Sequence, residues 1–164
     1  TDSYGNTPLH QSCFNGQSEV VKVMLAREDA DVNAINNDGE TPLFIAVLKN
    51  NIYVSELLLD AGALPDKGTN DGCCPIHAAA ENGNEHMVDV LIRHGANINC
   101  RNQDGETALI IGARGGLNNV VAMLLEKGAD VTCTDEAAHT ALYYATERGY
   151  NEIVELLLMA GAEN

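Results

Sequence analysis

Apolar residues recur along the chain in one pattern: a first position, then one, four and five residues further on. Val20, Val21, Met24 and Leu25 form one such set, and Met87, Val88, Leu91 and Ile92 form another. Val120, Val121, Leu124 and Leu125, and then Ile153, Val154, Leu157 and Leu158, repeat it. A further set holds Val54, Leu58 and Leu59, with Ser55 in the remaining slot. That spacing lines one face of an α-helix, whereas a half-buried strand would alternate, so each set predicts a helix. A second block precedes each set: Thr7-Pro8-Leu9-His10, Thr41-Pro42-Leu43-Phe44, Cys74-Pro75-Ile76-His77, Thr107-Ala108-Leu109-Ile110 and Thr140-Ala141-Leu142-Tyr143. These blocks begin 34, 33, 33 and 33 residues apart. Each predicts a shorter helix, with proline in its first turn, where a missing N–H costs nothing, and threonine as a hydroxyl cap before it. Gly62, Gly95, Gly128 and Gly161 stand where the longer helix needs a left-handed residue to stop. In the first copy Glu28-Asp29 replaces that glycine and accounts for the 34-residue step.

Between the helical blocks lie turn sequences, Asn37-Asp38-Gly39, Asn70-Asp71-Gly72 and Gln103-Asp104-Gly105. Small residues (Ser12, Ala46, Ala79, Gly112, Ala145) sit midway along each short helix and allow close approach of a neighbour. Together these residues resemble the ankyrin-repeat family, whose unit of about 33 residues is a β-turn plus two antiparallel helices. The resemblance spans the whole chain in five copies, approximately 2–35, 36–68, 69–101, 102–134 and 135–164. It implies a single all-α domain over 1–164, an ankyrin-repeat solenoid of stacked helix-turn-helix units with projecting β-hairpin-like loops, or fingers. Three departures stand out. Leu64-Pro65-Asp66-Lys67-Gly68 replaces the usual loop, Cys74 stands where threonine is expected, and Ala138 stands where earlier copies have Gly5, Gly39, Gly72 and Gly105. If that last position needs φ > 0, alanine is strained there and the last finger is expected to differ in shape. The chain starts inside a finger and stops after a long helix with no strongly polar cap at either end, which reads as a stretch of a longer array.

Composition narrows the partners. Nine Lys and Arg against 24 Asp and Glu give a formal charge of −15. Nucleic-acid phosphates need clustered basic residues that are missing here, and an anionic membrane surface is disfavoured for the same reason. No apolar run reaches the roughly 18 residues of a membrane span. Five cysteines in no tight framework (Cys13, Cys73, Cys74, Cys100, Cys133) read as free thiols in a reducing compartment, so an intracellular location, cytoplasmic or nuclear, is expected. Cys100 and Cys133 hold the same slot in successive repeats. Stacked helices lie roughly 8–10 Å apart, too far for a disulfide between them.

No candidate chemistry survives inspection. His10 and His77 fill the Thr-Pro-Leu-His slot and read as buried imidazoles bonded to backbone or to the nearby threonine. His86, His94 and His139 share no face, and Cys73-Cys74 is too close for a zinc clamp. No acidic loop follows the calcium-loop pattern, and Gly112, Gly115 and Gly116 do not form a phosphate loop. No nucleophile comes with a base and an orienting acid. Neither an enzyme, a metal, a cofactor nor a small-molecule substrate is therefore expected. Asn33 resembles the asparagine-hydroxylation sites of ankyrin repeats, with a structural asparagine bracing the loop as the competing reading.

What remains is the surface. In the family, partners dock on the fingers and on the exposed edge of the inner helices. Carried over by position, the resemblance implies a protein-binding face of Tyr4, Asp38, Glu40, Asp71, Asp104, Glu106 and His139 on the fingers. Phe14, Leu48, Lys49, Glu81, Arg114 and Arg148 provide its inner-helix edge. The fingers hold acids and no Lys or Arg, so the expected partner is a protein with a basic or mixed basic and apolar segment. The alternative from another class is a structural spacer or autoinhibitory segment of a larger channel, kinase or adaptor.

Overall fold

In the computed structural model, residues 1–163 are described and form ten helices. The inner helices are α1 (Pro8–Phe14), α3 (Pro42–Leu48), α5 (Pro75–Glu81), α7 (Ala108–Gly115) and α9 (Ala141–Glu147). The outer helices are α2 (Ser18–Leu25), α4 (Ile52–Asp60), α6 (Glu85–Arg93), α8 (Asn118–Glu126) and α10 (Asn151–Met159). Substantial packing runs from each inner helix to its own outer partner and to the neighbouring inner helices, and from each outer helix to its outer neighbours. That is a linear stack of five helix pairs, the all-α solenoid expected. Asn164, the last residue of the fifth repeat, lies outside the described residues.

Caps start the helices where the sequence puts them. The hydroxyls of Thr41, Thr107 and Thr140 accept from the backbone N–H three residues on, at 3.1, 3.3 and 3.2 Å. In the first repeat the exchange is reciprocal. His10 Nδ1 accepts the Thr7 N–H at 3.1 Å, so the proton sits on Nε2, which donates to the Glu40 carbonyl at 3.0 Å. His77 repeats the arrangement, accepting from Cys74 N at 2.9 Å and donating to the Cys100 carbonyl at 2.8 Å. Burial holds its pKa below the ordinary histidine value, consistent with a neutral ring that staples a cap to the following loop. Both histidines are structural, as their slot suggests.

Each apolar column of the sequence becomes a column of the core. Leu58, Leu91, Leu124 and Leu157 are fully buried, as are Val54, Met87, Val120 and Ile153. Their first-repeat counterparts, Met24 and Val20, are half-buried and exposed: among the described residues α2 has no preceding outer helix against it, whereas α10, whose column is buried, packs on α8 before it. Gly112 leaves room for the α8 valines: a Cβ there would lie 3.3 Å from both Val120 and Val121.

The fingers close in one way throughout. Asn36 N–H donates to the Glu40 carbonyl, Thr69 to Cys73, Asn102 to Glu106 and Asp135 to His139, at 3.0–3.1 Å. The last finger, where the sequence predicts a different shape, keeps the same closing bonds and adds an isolated antiparallel bridge between Thr134 and Thr140. Ala138 takes φ 63°, next to 77° for Gly39 and 75° for Gly105, and its N–H makes the equivalent bond to Asp135 O at 3.1 Å. The reason is space. A Cβ on Gly39 would lie 2.7 Å from the Asn70 backbone nitrogen of the next finger, whereas Ala138 is exposed and bears only the dihedral strain.

A second expectation is also corrected. The five cysteines are not all free: Cys74 and Cys100 form a disulfide, with Cα atoms 7.0 Å apart. Comparing equivalent slots could not reveal this pair. Cys74 caps α5 and Cys100 lies in the loop beyond α6, and that loop folds back onto the same cap, held there by His77.

Two stability outcomes follow. Leu91→Ala should lower the unfolding free energy by about 2–5 kcal/mol in urea titrations, because the cavity opens where two interfaces meet. Ala138→Gly should raise it by about 0.5–1 kcal/mol, the αL strain being removed and part of the gain returned as unfolded-chain entropy. A destabilised Ala138→Gly variant would show that the methyl group packs rather than strains.

Candidate protein-binding face

Finger residues bond along the stack before they can meet anything else. Asn37 N–H donates to the Tyr4 carbonyl, Asn70 to Asp38, Gln103 to Asp71 and Glu136 to Asp104, all at 2.9–3.1 Å. Side chains run a parallel ladder: Asn37 to Ser3 O, Asn70 to Asn37 O and Gln103 to Asn70 O, at 3.2, 2.9 and 2.7 Å. Within each finger a brace holds the turn. The oxygens of Asp2, Asn36, Thr69, Asn102 and Asp135 each accept at least one finger N–H. The ladder uses the backbone of Asp38, Asp71 and Asp104 and leaves all three side chains exposed. Three carboxylates thus stand at the same height in successive fingers.

The other acid column is uneven. Glu40 is half-buried, and its Oε2 accepts the Asn36 amide at 2.7 Å. Glu106, one of the expected docking acids, is 7% exposed and turned inward. Arg114 Nη1 reaches its Oε1 at 2.7 Å, and the Asn102 amide reaches Oε2 at 3.2 Å. The Arg114–Glu106 pair is therefore an internal feature of the fourth repeat. Cys73 and His139 hold the same slot in the third and fifth repeats.

Tyr4, Phe14, Leu48, Asp38 and Glu40 come together. They line one cleft of about 440 Å3 at the first two fingers, with Ile45 at its floor. Tyr4, Phe14 and Leu48 are 69%, 56% and 43% exposed, an apolar wall open to solvent on an acidic rim. Lys49 Nζ lies 3.9 Å from the centre of the Phe14 ring and makes no ion pair among the described residues. A second cleft of about 500 Å3 follows, lined by Phe44, Asn70, Asp71 and Cys73, and it shares Asp38 and Glu40 with the first. Glu81 is exposed beyond it. At the far end the face changes character. Arg148 Nη1 donates to Arg114 O at 2.9 Å, and the His139 ring stacks on Tyr143 at 3.9 Å, with Tyr144 edge-on to both.

The aromatic cluster and its brace were not anticipated. Tyr144 donates to Asp135 Oδ2 at 2.6 Å, and that bond pushes the phenol up to about 12. Burial alone would raise the Asp135 carboxyl, but hydrogen bonds from Tyr144 and from the His139 and Ala137 amides hold it below its usual value. Tyr143 in the Thr-Pro-Leu-His slot was the available signal. Arg101, also unremarked in the sequence, clamps two fingers by donating to Gly105 O and Thr134 O, at 3.0 and 2.6 Å. Asn33 is a brace by geometry: its Oδ1 accepts Leu64 N at 2.8 Å and its amide donates to Gly62 O at 3.3 Å.

The free thiols are all chemically muted. Burial pushes Cys13 up to about 12, and burial with the charges of Glu81, Asp71 and Glu106 pushes Cys73 up to about 11. Burial and then Asp130 raise Cys133. Among the described residues no helix is long and apolar enough to cross a membrane.

A family model described as "Ankyrin repeats (3 copies)" matches residues 1–71, 56–135 and 76–164, and so covers the whole chain. Among curated relatives, "ANK repeat-containing protein nipk-1" of Caenorhabditis elegans is 40% identical over 73 residues, 40% of this chain and 12% of that protein. "Probable 26S proteasome regulatory subunit p28" of Saccharomyces cerevisiae is 43% identical over 63 residues, 38% of this chain and 28% of that protein. "NF-kappa-B inhibitor zeta" of Homo sapiens is 39% identical over 62 residues, 35% of this chain and 9% of that protein. The matched segment is less than a third of the length of each of these relatives.

Thiol labelling tests the electrostatics of this face. At pH 8 a pKa of about 11 in place of 9 lowers the Cys73 thiolate fraction about 100-fold. The greater nucleophilicity of the more basic thiolate returns about a tenfold factor, so Cys73 should alkylate with iodoacetamide roughly ten times more slowly than free cysteine. The rate should keep rising with pH through 11. Cys13 should label only on unfolding, and Cys74 and Cys100 only after reduction. Fast labelling of all five in the folded, unreduced chain would contradict this picture.

Proposed function

The chain belongs to the ankyrin-repeat family, and on that premise we propose that it is a protein-interaction module. It has no chemistry of its own, and it grips an extended basic and apolar segment of a partner on its concave finger and inner-helix face. Ankyrin repeats generally mediate protein–protein interaction, and relatives named as an inhibitor of NF-kappa-B and as a proteasome regulatory subunit bear names of proteins that act with others. The observation that carries the finer reading is a cleft apolar on the wall and acidic on the rim, continued by a second, more polar cleft with which it shares Asp38 and Glu40. Tyr4, Phe14 and Leu48 are the anchor, with Lys49 packed on it. Asp38, Asp71 and Asp104 form the steering column, with Glu40 and Glu81 beside it. Arg114, Arg148 and His139 mark the end where the face turns mixed in charge. An intracellular setting, cytoplasmic or nuclear, is part of this proposal, on the strength of those relatives.

Energetically the two parts do different work. Exposed pairs to the aspartates contribute about 0–1 kcal/mol each, yet their common field steers encounter and fixes register. Residence depends on the apolar anchor, because hot spots are buried aromatic or arginine contacts more than rim charges.

Peptides selected from a displayed random library and measured by surface plasmon resonance supply the test. Phe14→Ala should speed dissociation about tenfold or more with little change in association. Asp38→Asn with Asp71→Asn should mainly slow association, and raising salt from 50 to 300 mM, which shortens the screening length about 2.4-fold, should do the same to the parent chain. Selected peptides that are acidic, or that ignore all these changes, would move the binding surface to the outer helices.

A further inference from the structure

The second and fourth repeats carry the same acidic device with one difference. In the fourth, the Asn102 amide and the Arg114 guanidinium hold Glu106 between them, Nη1 at 2.7 Å from Oε1 and Nη2 at 3.5 Å from Oε2. In the second, Asn36 takes the place of Asn102 and donates to Glu40 Oε2 at 2.7 Å. Leu48 stands in the slot of Arg114, 66 residues earlier in a 33-residue register. Glu40 therefore keeps the acceptor geometry of Glu106 without its cation, and among the described residues no Lys, Arg or His pairs with it.

From this internal comparison we infer that the cleft at Glu40 is an arginine subsite, filled by a side chain of the bound partner that takes the position Arg114 occupies in cis two repeats along. The inference rests on the proposed docking of a basic segment to this face, and it names the residue that the segment must present. Charge complementarity favours it: the rim holds Asp38 beside Glu40, and the whole chain carries −15. Shape favours arginine over lysine. The forked guanidinium meets both carboxylate oxygens in the fourth repeat, a geometry that an ammonium cannot copy. Where Arg114 reaches Glu106 from its own helix, the partner's arginine enters from solvent, its methylene stem along Phe14 and Leu48 and its head at Glu40 Oε1. The third and fifth repeats hold Cys73 and His139 in the glutamate slot, so the subsite occurs once along the face and sets the register of the whole segment.

The test uses the peptides selected above against the full chain, with binding read by fluorescence anisotropy and the contact face mapped by NMR amide shifts. Recovered peptides should share one arginine, and replacing it with citrulline, its neutral isostere, should weaken binding at least tenfold, with lysine intermediate. Glu40→Gln, which keeps the bond to Asn36, should cost a similar factor. Leu48→Arg should weaken binding at least tenfold more than Leu48→Gln, which removes the same apolar contact without supplying a cation, since the arginine rebuilds the cis pair of the fourth repeat and fills the subsite from within. Glu155→Gln on α10 should change nothing, and circular dichroism melts should show all variants folded. Peptides that shift the amides of Gly39 to Leu48 yet lack a required arginine, ignore Glu40→Gln, or lose no more to Leu48→Arg than to Leu48→Gln would overturn the subsite and leave the docking face standing. Peptides that shift only outer-helix amides would overturn both.

Discussion

A helix pair of seven to nine residues per helix has no core of its own. Isolated helices shorter than about 12–15 residues are marginal in water, and none of the ten here exceeds nine. Every pair must therefore bury its apolar stripe against the next, and the 33-residue register is the consequence. Leu58, Leu91, Leu124 and Leu157 can form one buried column only if each copy presents its leucine at the same height and angle. Caps, the left-handed finger position and the small residues of the inner helices all serve that constraint. They shorten, aim and thin the helices so that neighbouring pairs can pack.

The same register turns each surface slot into a column in which side chains are compared from repeat to repeat. One slot reads Phe14, Leu48, Glu81, Arg114 and Glu147, and its facing slot reads Asn6, Glu40, Cys73, Glu106 and His139. Burial forbids such variety in the leucine column but tolerates it here. The fold is thus held constant while charge and shape change along its edge. Acids neutralised from within, such as Glu106, belong to the framework, while Glu40 and the exposed aspartates are left to the solvent side. Charge in this chain is sorted by what already answers it rather than by position alone.

Much of the architecture was legible because it is encoded locally. The Thr-Pro start, the four-position apolar set and the terminal glycine act within a turn or two, and the helices begin where these signals place them. The cluster of Tyr4, Phe14 and Leu48 was legible too, since equivalent slots in adjacent repeats must be neighbours. What the sequence hid depends on how loops fold back across the stack. The Cys74–Cys100 bond joins non-equivalent slots of one repeat, and the inward turn of Glu106 depends on an arginine eight residues later. The ladder from Asn37 through Asn70 to Gln103 joins side chains of successive fingers that the sequence marks only as turn residues. At Ala138 the sequence signalled strain correctly but not its form, because only the next finger makes a Cβ impossible at Gly39.

Fixing the fingers in this way matters for recognition. A loop tip normally pays conformational entropy when it binds, about 0.5–1.5 kcal/mol per immobilised side chain with more for backbone. Here the backbone of each acidic tip is already bonded to its neighbour, Asp38 to Asn70, Asp71 to Gln103 and Asp104 to Glu136. The carboxylates are consequently held at fixed intervals before any partner arrives, and weak individual pairs can act in concert. The ladder that closes the stack is also what orders the face it presents. A sequence change that loosened one finger would blur the spacing of the acids on both sides of it, even with every acid still in place.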